Sequence, residues 1–237
     1  MDAIYSDKTF AASEKDLRFR QARSADPKLS ALGQEQVRNL SQHPALEDIF
    51  GSDVNVEILS SPLTRAIETA HPIQKIFPRS PIRLMPSLVE GGGLYQTSFD
   101  GTNTGMPGRN RAEFQNEFPH ITLDLSMISD EGWWDASVGK EQEGGVDCAF
   151  WQRVERVAAW MREYCPPPQT RHVFVVGHGA LFDRLISELL GVGRTAVAFT
   201  HVNTGVTHIE MHEGLSRVHC INSPPATRTS NGTASVL

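Results

Sequence analysis

Two strand-to-helix junctions in this chain each bring an anion-binding side chain to the start of a helix. In the first, Val56-Glu57-Ile58-Leu59 runs through Ser60-Ser61-Pro62-Leu63 into Thr64-Arg65-Ala66-Ile67-Glu68-Thr69-Ala70, which puts Arg65 in an opening helical turn. In the second, the apolar run Val173-Phe174-Val175-Val176 ends at Gly177-His178-Gly179 and hands over to Leu181-Phe182-Asp183-Arg184-Leu185-Ile186. An arginine and an imidazole beside helix N-termini suit a phosphate or a carboxylate. Parallel strands place ligands at their carboxyl ends, so Arg65 and His178 are expected to face one crevice. Taken singly each residue is ambiguous. A histidine after a strand is more often a structural hydrogen-bonding residue, and Arg65 reads equally well as a solvated helix residue. Their equivalent places in two β-turn-α units carry the inference.

The elements around these junctions follow from periodicity and punctuation. Residues 1 to about 28 show no sustained period and read as loop and weak helix, with Met1 to Tyr5 able to begin a strand. Ser30 is a good N-cap for a helix through Leu32, Val37 and Leu40. Strands are expected near 55–59 and 82–85, with the Arg65 helix between them running to about 76. Residues 91–146 are Gly-rich and irregular, with one helix around Arg111 to Phe118, and read as an insertion or lid over the crevice. A helix over 147–164 puts Phe150, Trp151, Val154, Val157, Ala158 and Met161 on its apolar face, with Arg153, Glu155, Arg156 and Arg162 turned outward. Pro166-Pro167-Pro168 ends it. Strands near 196–199, 206–211 and 217–221 are expected to complete the sheet, and the Ser-, Thr- and Pro-rich end from Ser223 reads as a disordered tail. The expected organisation is therefore one domain over 1–222, with 223–237 outside it.

Composition narrows the function classes. The 237 residues suffice for one sizeable α/β core and are too few for two full enzyme domains. A formal charge of -6, with no Lys/Arg run, argues against a nucleic-acid partner. No apolar run reaches transmembrane length and no signal peptide opens the chain, so a cytoplasmic protein without a membrane partner is expected. The three cysteines, Cys148, Cys165 and Cys220, have no metal-like spacing, and no metal or cofactor is expected. The oligomeric state is not legible.

Four segments then resemble a known family. Asp26-Pro27-Lys28-Leu29-Ser30-Ala31-Leu32-Gly33-Gln34-Glu35-Gln36 is similar to its D-x-x-L-S/T-x-x-G-x-x-Q segment, and Ser60 to Ala70 to its S-S-P-L-x-R-x-x-x-T-A segment. Leu88-Val89-Glu90 resembles its acidic turn, and Gly177-His178-Gly179 its second histidine motif. The family is the histidine phosphatase superfamily, the phosphoglycerate mutase-like proteins. The resemblance implies a three-layer α/β/α sandwich with a mostly parallel sheet, and phosphoryl transfer to an attacking histidine. Arginines and a second histidine would neutralise the phosphoryl oxygens while a carboxylic acid protonates the leaving group. By that resemblance Arg65 is a substrate-binding arginine, His178 the second, substrate-binding and catalytic histidine, and Glu90 the catalytic acid.

The attacking histidine of the family follows an arginine at the end of the first strand, and no histidine precedes Asp26 here. Arg171-His172 imitates that dipeptide but sits at the wrong end of its strand. The first strand is thus expected to be missing or replaced, through truncation or through loss of histidine phosphorylation. Three functions follow: monoester hydrolysis by a complete form, silent binding of a small phosphorylated or anionic molecule, or another acid–base reaction using Glu90 and His178. Tyr95, Phe99, Asp100, Arg109, Arg111, Trp133 and Trp134 are the insertion residues expected to shape specificity, unless the tryptophans simply pin the insertion down.

Overall fold

A computed structural model describes Arg18 and residues 24–50, 54–144, 148–164, 170–192, 197–212 and 215–225. Its centre is a four-stranded sheet built from β1 (Asn55–Ser60), β2 (Ile82–Leu84), β5 (Leu123–Asp124) and β6 (Thr170–Val176), in the order β5-β2-β1-β6 with every pair parallel. Parallel neighbours need crossover connections, and helices supply them. The helix α3 (Thr64–Ile76) links β1 to β2, and α5 (Ala149–Glu163) precedes β6, which is followed by α6 (Gly179–Leu190). Two short helices, α1 (Ala31–Arg38) and α2 (Glu47–Phe50), precede β1, and Ser30 caps α1 by accepting from the Gly33 N–H. The expected fold class is present as a mixed α/β architecture around a mostly parallel sheet.

The alternation of strand side chains separates the two faces. Val56 and Ile58 of β1, with Ile82 and Leu84 of β2, pack against Leu63, Ile67, Ala70 and Ile73 of the α3 segment. Leu59 faces the other way, against Phe150, Trp151, Val154, Val157 and Ala158 of α5 and Leu181 and Leu185 of α6. Helices thus cover both faces of the sheet. The insertion carries its own hairpin, β3 (Tyr95–Thr97) with β4 (Asn103–Gly105), and α4 (Arg111–Glu117), whose Asn110–Glu113 capping box starts it where a helix was expected.

Four expectations need correction. No strand runs over 197–199, where the described backbone is irregular. The last two strands, β7 (Val206–His212) and β8 (Leu215–Ser223), pair only with each other as an antiparallel hairpin and do not extend the central sheet among the described residues. Ser223 belongs to β8 and not to a tail, because His43 holds it: Nδ1 of this fully buried ring accepts from the Ala45 N–H, so Nε2 carries the proton and donates to the Ser223 carbonyl at 2.9 Å. Arg153 does not face outward; it is 7% exposed, and its burial has consequences taken up below. The strand start at Met1 to Tyr5 and the tail beyond 225 lie outside the described residues.

Candidate active site

The first junction is clamped from both sides. Met85 N–H donates to the Ser60 carbonyl at 2.8 Å and Ser61 N–H to the Val176 carbonyl at 3.0 Å, so the turn after β1 is held between β2 and β6. Leu63, the residue before α3, has no capping side chain. Asp26 provides the cap from 38 residues away: one carboxylate oxygen accepts the Thr64 N–H at 2.9 Å and the other the Thr64 hydroxyl at 2.8 Å. A carboxylate at this position also satisfies the positive end of the helix dipole. The α3 N-terminus is therefore occupied by the chain's own carboxylate, and an incoming anion must rely on side chains.

Arg109 closes this arrangement from the insertion. It bonds to Asp26, and its Nε donates to Glu117 Oε2 at 2.5 Å while Lys28 approaches the same carboxylate at 3.3 Å. Burial works against the Arg109 charge, but the bonds to Asp26 and Glu117 raise its pKa above the ordinary guanidinium value. Burial likewise works to raise the Glu117 carboxyl, and Arg109 and Lys28 hold it below the usual carboxylate range. The role of Arg109 is to tie the insertion to the α3 turn.

Arg65 and Glu90 line one small cavity of about 50 Å³. That space admits several water-sized atoms, enough for a tetrahedral anion. Its other walls come from Ser24, Ala25 and Leu63 on one side and from Gly91, Gly93, Tyr95 and Thr97 on the other. His178 is not among the lining residues. It precedes α6, is 6% exposed, and its Nε2 lies 2.8 Å from the hydroxyl oxygen of Ser61, which is fully buried and also accepts the Leu63 N–H at 3.3 Å. The second junction thus meets the first through Ser61, one hydrogen bond away from the segment that carries Leu63 and Arg65. The structure places Arg65 and Glu90 in the wall of one cavity and His178 against the turn that leads to Arg65.

The insertion residues divide. Tyr95 lines the cavity, with the Lys140 ammonium 5.5 Å from its ring centre and Glu143 paired to Lys140 at 3.1 Å. Phe99 is 94% exposed, Asp100 holds the Thr102 N–H in its own turn, and Arg111 pairs with Asp130 at the surface, so none of these three forms part of the cavity wall. Trp133 and Trp134 brace the insertion internally, on Gly108 and Gly93 respectively, and tie it to the body through the core cluster that holds Ile58, Ile67 and Leu84. Gly93 adopts φ +72°, and a Cβ there would lie 2.0 Å from Trp134 Cζ2. Gly93→Ala is therefore expected to cost about 2–4 kcal/mol in chemical denaturation, through the strained backbone and the overpacked tryptophan, and to disturb the cavity wall.

No cluster of three His, Cys, Asp or Glu residues among those described is arranged to hold a metal ion. No described helix is long and apolar enough to cross a membrane. Sequence reasoning did not single out Asp26 as a helix cap, Ser61 as the partner of His178, or the Arg153–Glu141 pair. The first two stood inside recognisable segments; of the pair, Arg153 sits on the apolar face by helical spacing, whereas Glu141 gave no local signal.

Comparison with known proteins gives three findings. The family model described as histidine phosphatase superfamily (branch 1) matches residues 11–122 and 126–224. No curated protein sequence matches the chain. Among solved structures, the chain resembles ecdysone phosphate phosphatase from Bombix mori in complex with tungstate, at 16% identity and a TM-score of 0.55, covering 95% of this chain and 82% of that one. It also resembles the alpha-ribazole phosphatase from Shigella flexneri, at 23% identity and a TM-score of 0.51, over 91% and 94%. A mycobacterial glucosyl-3-phosphoglycerate phosphatase in complex with VO3 gives 21% identity and a TM-score of 0.50, over 88% and 94%. At these identities the structural matches establish a shared fold.

Proposed function

This chain belongs to the histidine phosphatase superfamily, and from that premise we propose that the Arg65–Glu90 cavity binds the phosphoryl group of a small phosphate monoester. The observation that carries the reading is that one guanidinium and one carboxyl share the wall of a cavity that admits a tetrahedral anion. Arg65 neutralises the phosphoryl oxygens. Glu90, when protonated, donates to the bridging oxygen as the bond from phosphorus to that oxygen breaks. His178, hydrogen-bonded to the Ser61 hydroxyl, supports the turn that leads to Arg65. Tungstate and VO3 are the anions named for two of the structural relatives, and both are phosphate-like in shape and charge.

Among the described residues that line the cavity there is no histidine. No histidine precedes Asp26, and His43, the first in the chain, has both ring nitrogens engaged by backbone groups of Ser223 and Ala45. The chain is accordingly proposed to bind the phosphoryl group and turn it over very slowly. Monoester hydrolysis is the reaction this geometry would serve with an attacking histidine in place.

Two measurements test this together. Phosphate or vanadate at millimolar concentration is expected to raise the melting temperature. Incubation with an aryl phosphate is expected to give no burst of product and no acid-labile phosphohistidine. Absence of any thermal shift would overturn the binding reading. Robust turnover lost in His178→Ala, with folding intact, would instead make His178 the nucleophile.

A further inference from the structure

Arg153 has five N–H donors, and the structure uses all of them. Nε and Nη2 donate to the two oxygens of Glu141 at 3.0 and 2.6 Å, a two-pronged fork. Nη1 donates to the carbonyls of Ser87 and Val89 at 2.9 and 2.8 Å, and Nη2 also reaches the Glu90 carbonyl at 3.2 Å. The two side chains are 8% and 5% exposed, and the guanidinium sits 5.1 Å from the Phe150 ring centre. Glu141 in turn donates its own N–H to the Gly92 carbonyl at 2.8 Å. One guanidinium on α5 therefore gathers three carbonyls of the turn that ends in Glu90, those of Ser87, Val89 and Glu90, together with the far end of the insertion.

A fork of this kind fixes peptide planes and not merely charge. We propose that Arg153 and Glu141 are positioning residues: they hold the backbone from Ser87 to Gly92 so that the Glu90 carboxyl stays in the cavity with Arg65. The inference rests on the reading of that cavity as an oxyanion site. It gives the far end of the insertion a part in the chemistry, because withdrawing Glu141 releases the turn that carries the acid.

Sulfate is the probe, and calorimetry of the full chain at one fixed pH is the readout. Glu90→Gln replaces a carboxyl beside the anion and is expected to change the sulfate affinity about threefold or more. Arg65, Tyr95, His178 and the Lys140–Glu143 pair beside Gly92 remain in every variant. If Arg153 and Glu141 keep the Glu90 carboxyl in the cavity, Glu141→Gln, which preserves shape, and Arg153→Lys, which preserves charge, should each change the affinity in the same sense, and adding Glu90→Gln to either should change it little further. A full Glu90→Gln effect in either background makes the pair structural only and overturns the proposal alone. Failure of the wild-type chain to bind sulfate overturns the cavity reading and the proposal with it.

Discussion

Arg65→Ala is expected to weaken phosphate or vanadate binding about 10- to 100-fold, the effect of removing a hydrogen-bonded charge worth about 1.5–3 kcal/mol. The thermal consequence is large because ligand stabilisation is logarithmic. At a ligand concentration of about 100 times Kd the wild-type chain gains about 2.7 kcal/mol, and after a 100-fold loss the same concentration gives only about 0.4 kcal/mol. For a domain of this size each kcal/mol moves Tm by about 2–4 °C, so a rise of about 5–11 °C should shrink to about 1–2 °C. Alanine keeps the backbone carbonyl that accepts the Thr69 hydroxyl at 2.7 Å, and far-UV circular dichroism reads the fold of the variant separately from its binding. Arg65→Lys should fall between the two, since it retains charge and loses the planar fork. A full thermal rise in Arg65→Ala, with unchanged far-UV circular dichroism, would show that the anion sits elsewhere.

That prediction was reachable from sequence because its causes are local. The run from Val56 to Leu59 must be a buried strand, Pro62 cannot sit in the ladder, and the spacing of Ala66, Ile67 and Ala70 turns one face to the sheet; Arg65 falls where these meet. The same holds for β6, for the Ser30 cap and for the helix that begins at Arg111. What was not legible is non-local. Asp26 caps α3 across 38 positions, and Ser61 meets His178 across 117. Neither distance leaves a period in the chain. The hairpin β7–β8 shows the same limit, since alternation in Val206–His212 identifies a strand but not its neighbour.

Arg153 is the sharpest case, because the signal existed and residue type overrode it. It lies three positions after Phe150 and four before Val157, both buried, so helical geometry alone puts it on the apolar face. Charged side chains are so seldom fully buried that the outward reading prevailed. Only a partner can reverse that prior, and Glu141 lies in a part of the insertion with no regular structure to announce it.

The size of that partnership sets the largest expected loss of stability. Arg153→Met should cost about 3–5 kcal/mol, the usual consequence of breaking a buried pair and leaving the Glu141 carboxylate without its cation. Equilibrium denaturation should register this directly, with Tm falling by about 6–20 °C. The double variant Arg153→Met/Glu141→Leu separates the sources. For an isolated buried ion pair, apolar replacement of both partners is often neutral or stabilising. Here the carbonyls of Ser87, Val89 and Glu90 also lose their donor, and each buried acceptor left unsatisfied costs about 1–3 kcal/mol. The double variant should therefore recover only part of the loss and stay at least about 2 kcal/mol below wild type. Full recovery would mean that the turn finds other donors without the guanidinium, and that the pair contributes its mutual attraction and nothing to the backbone that carries Glu90.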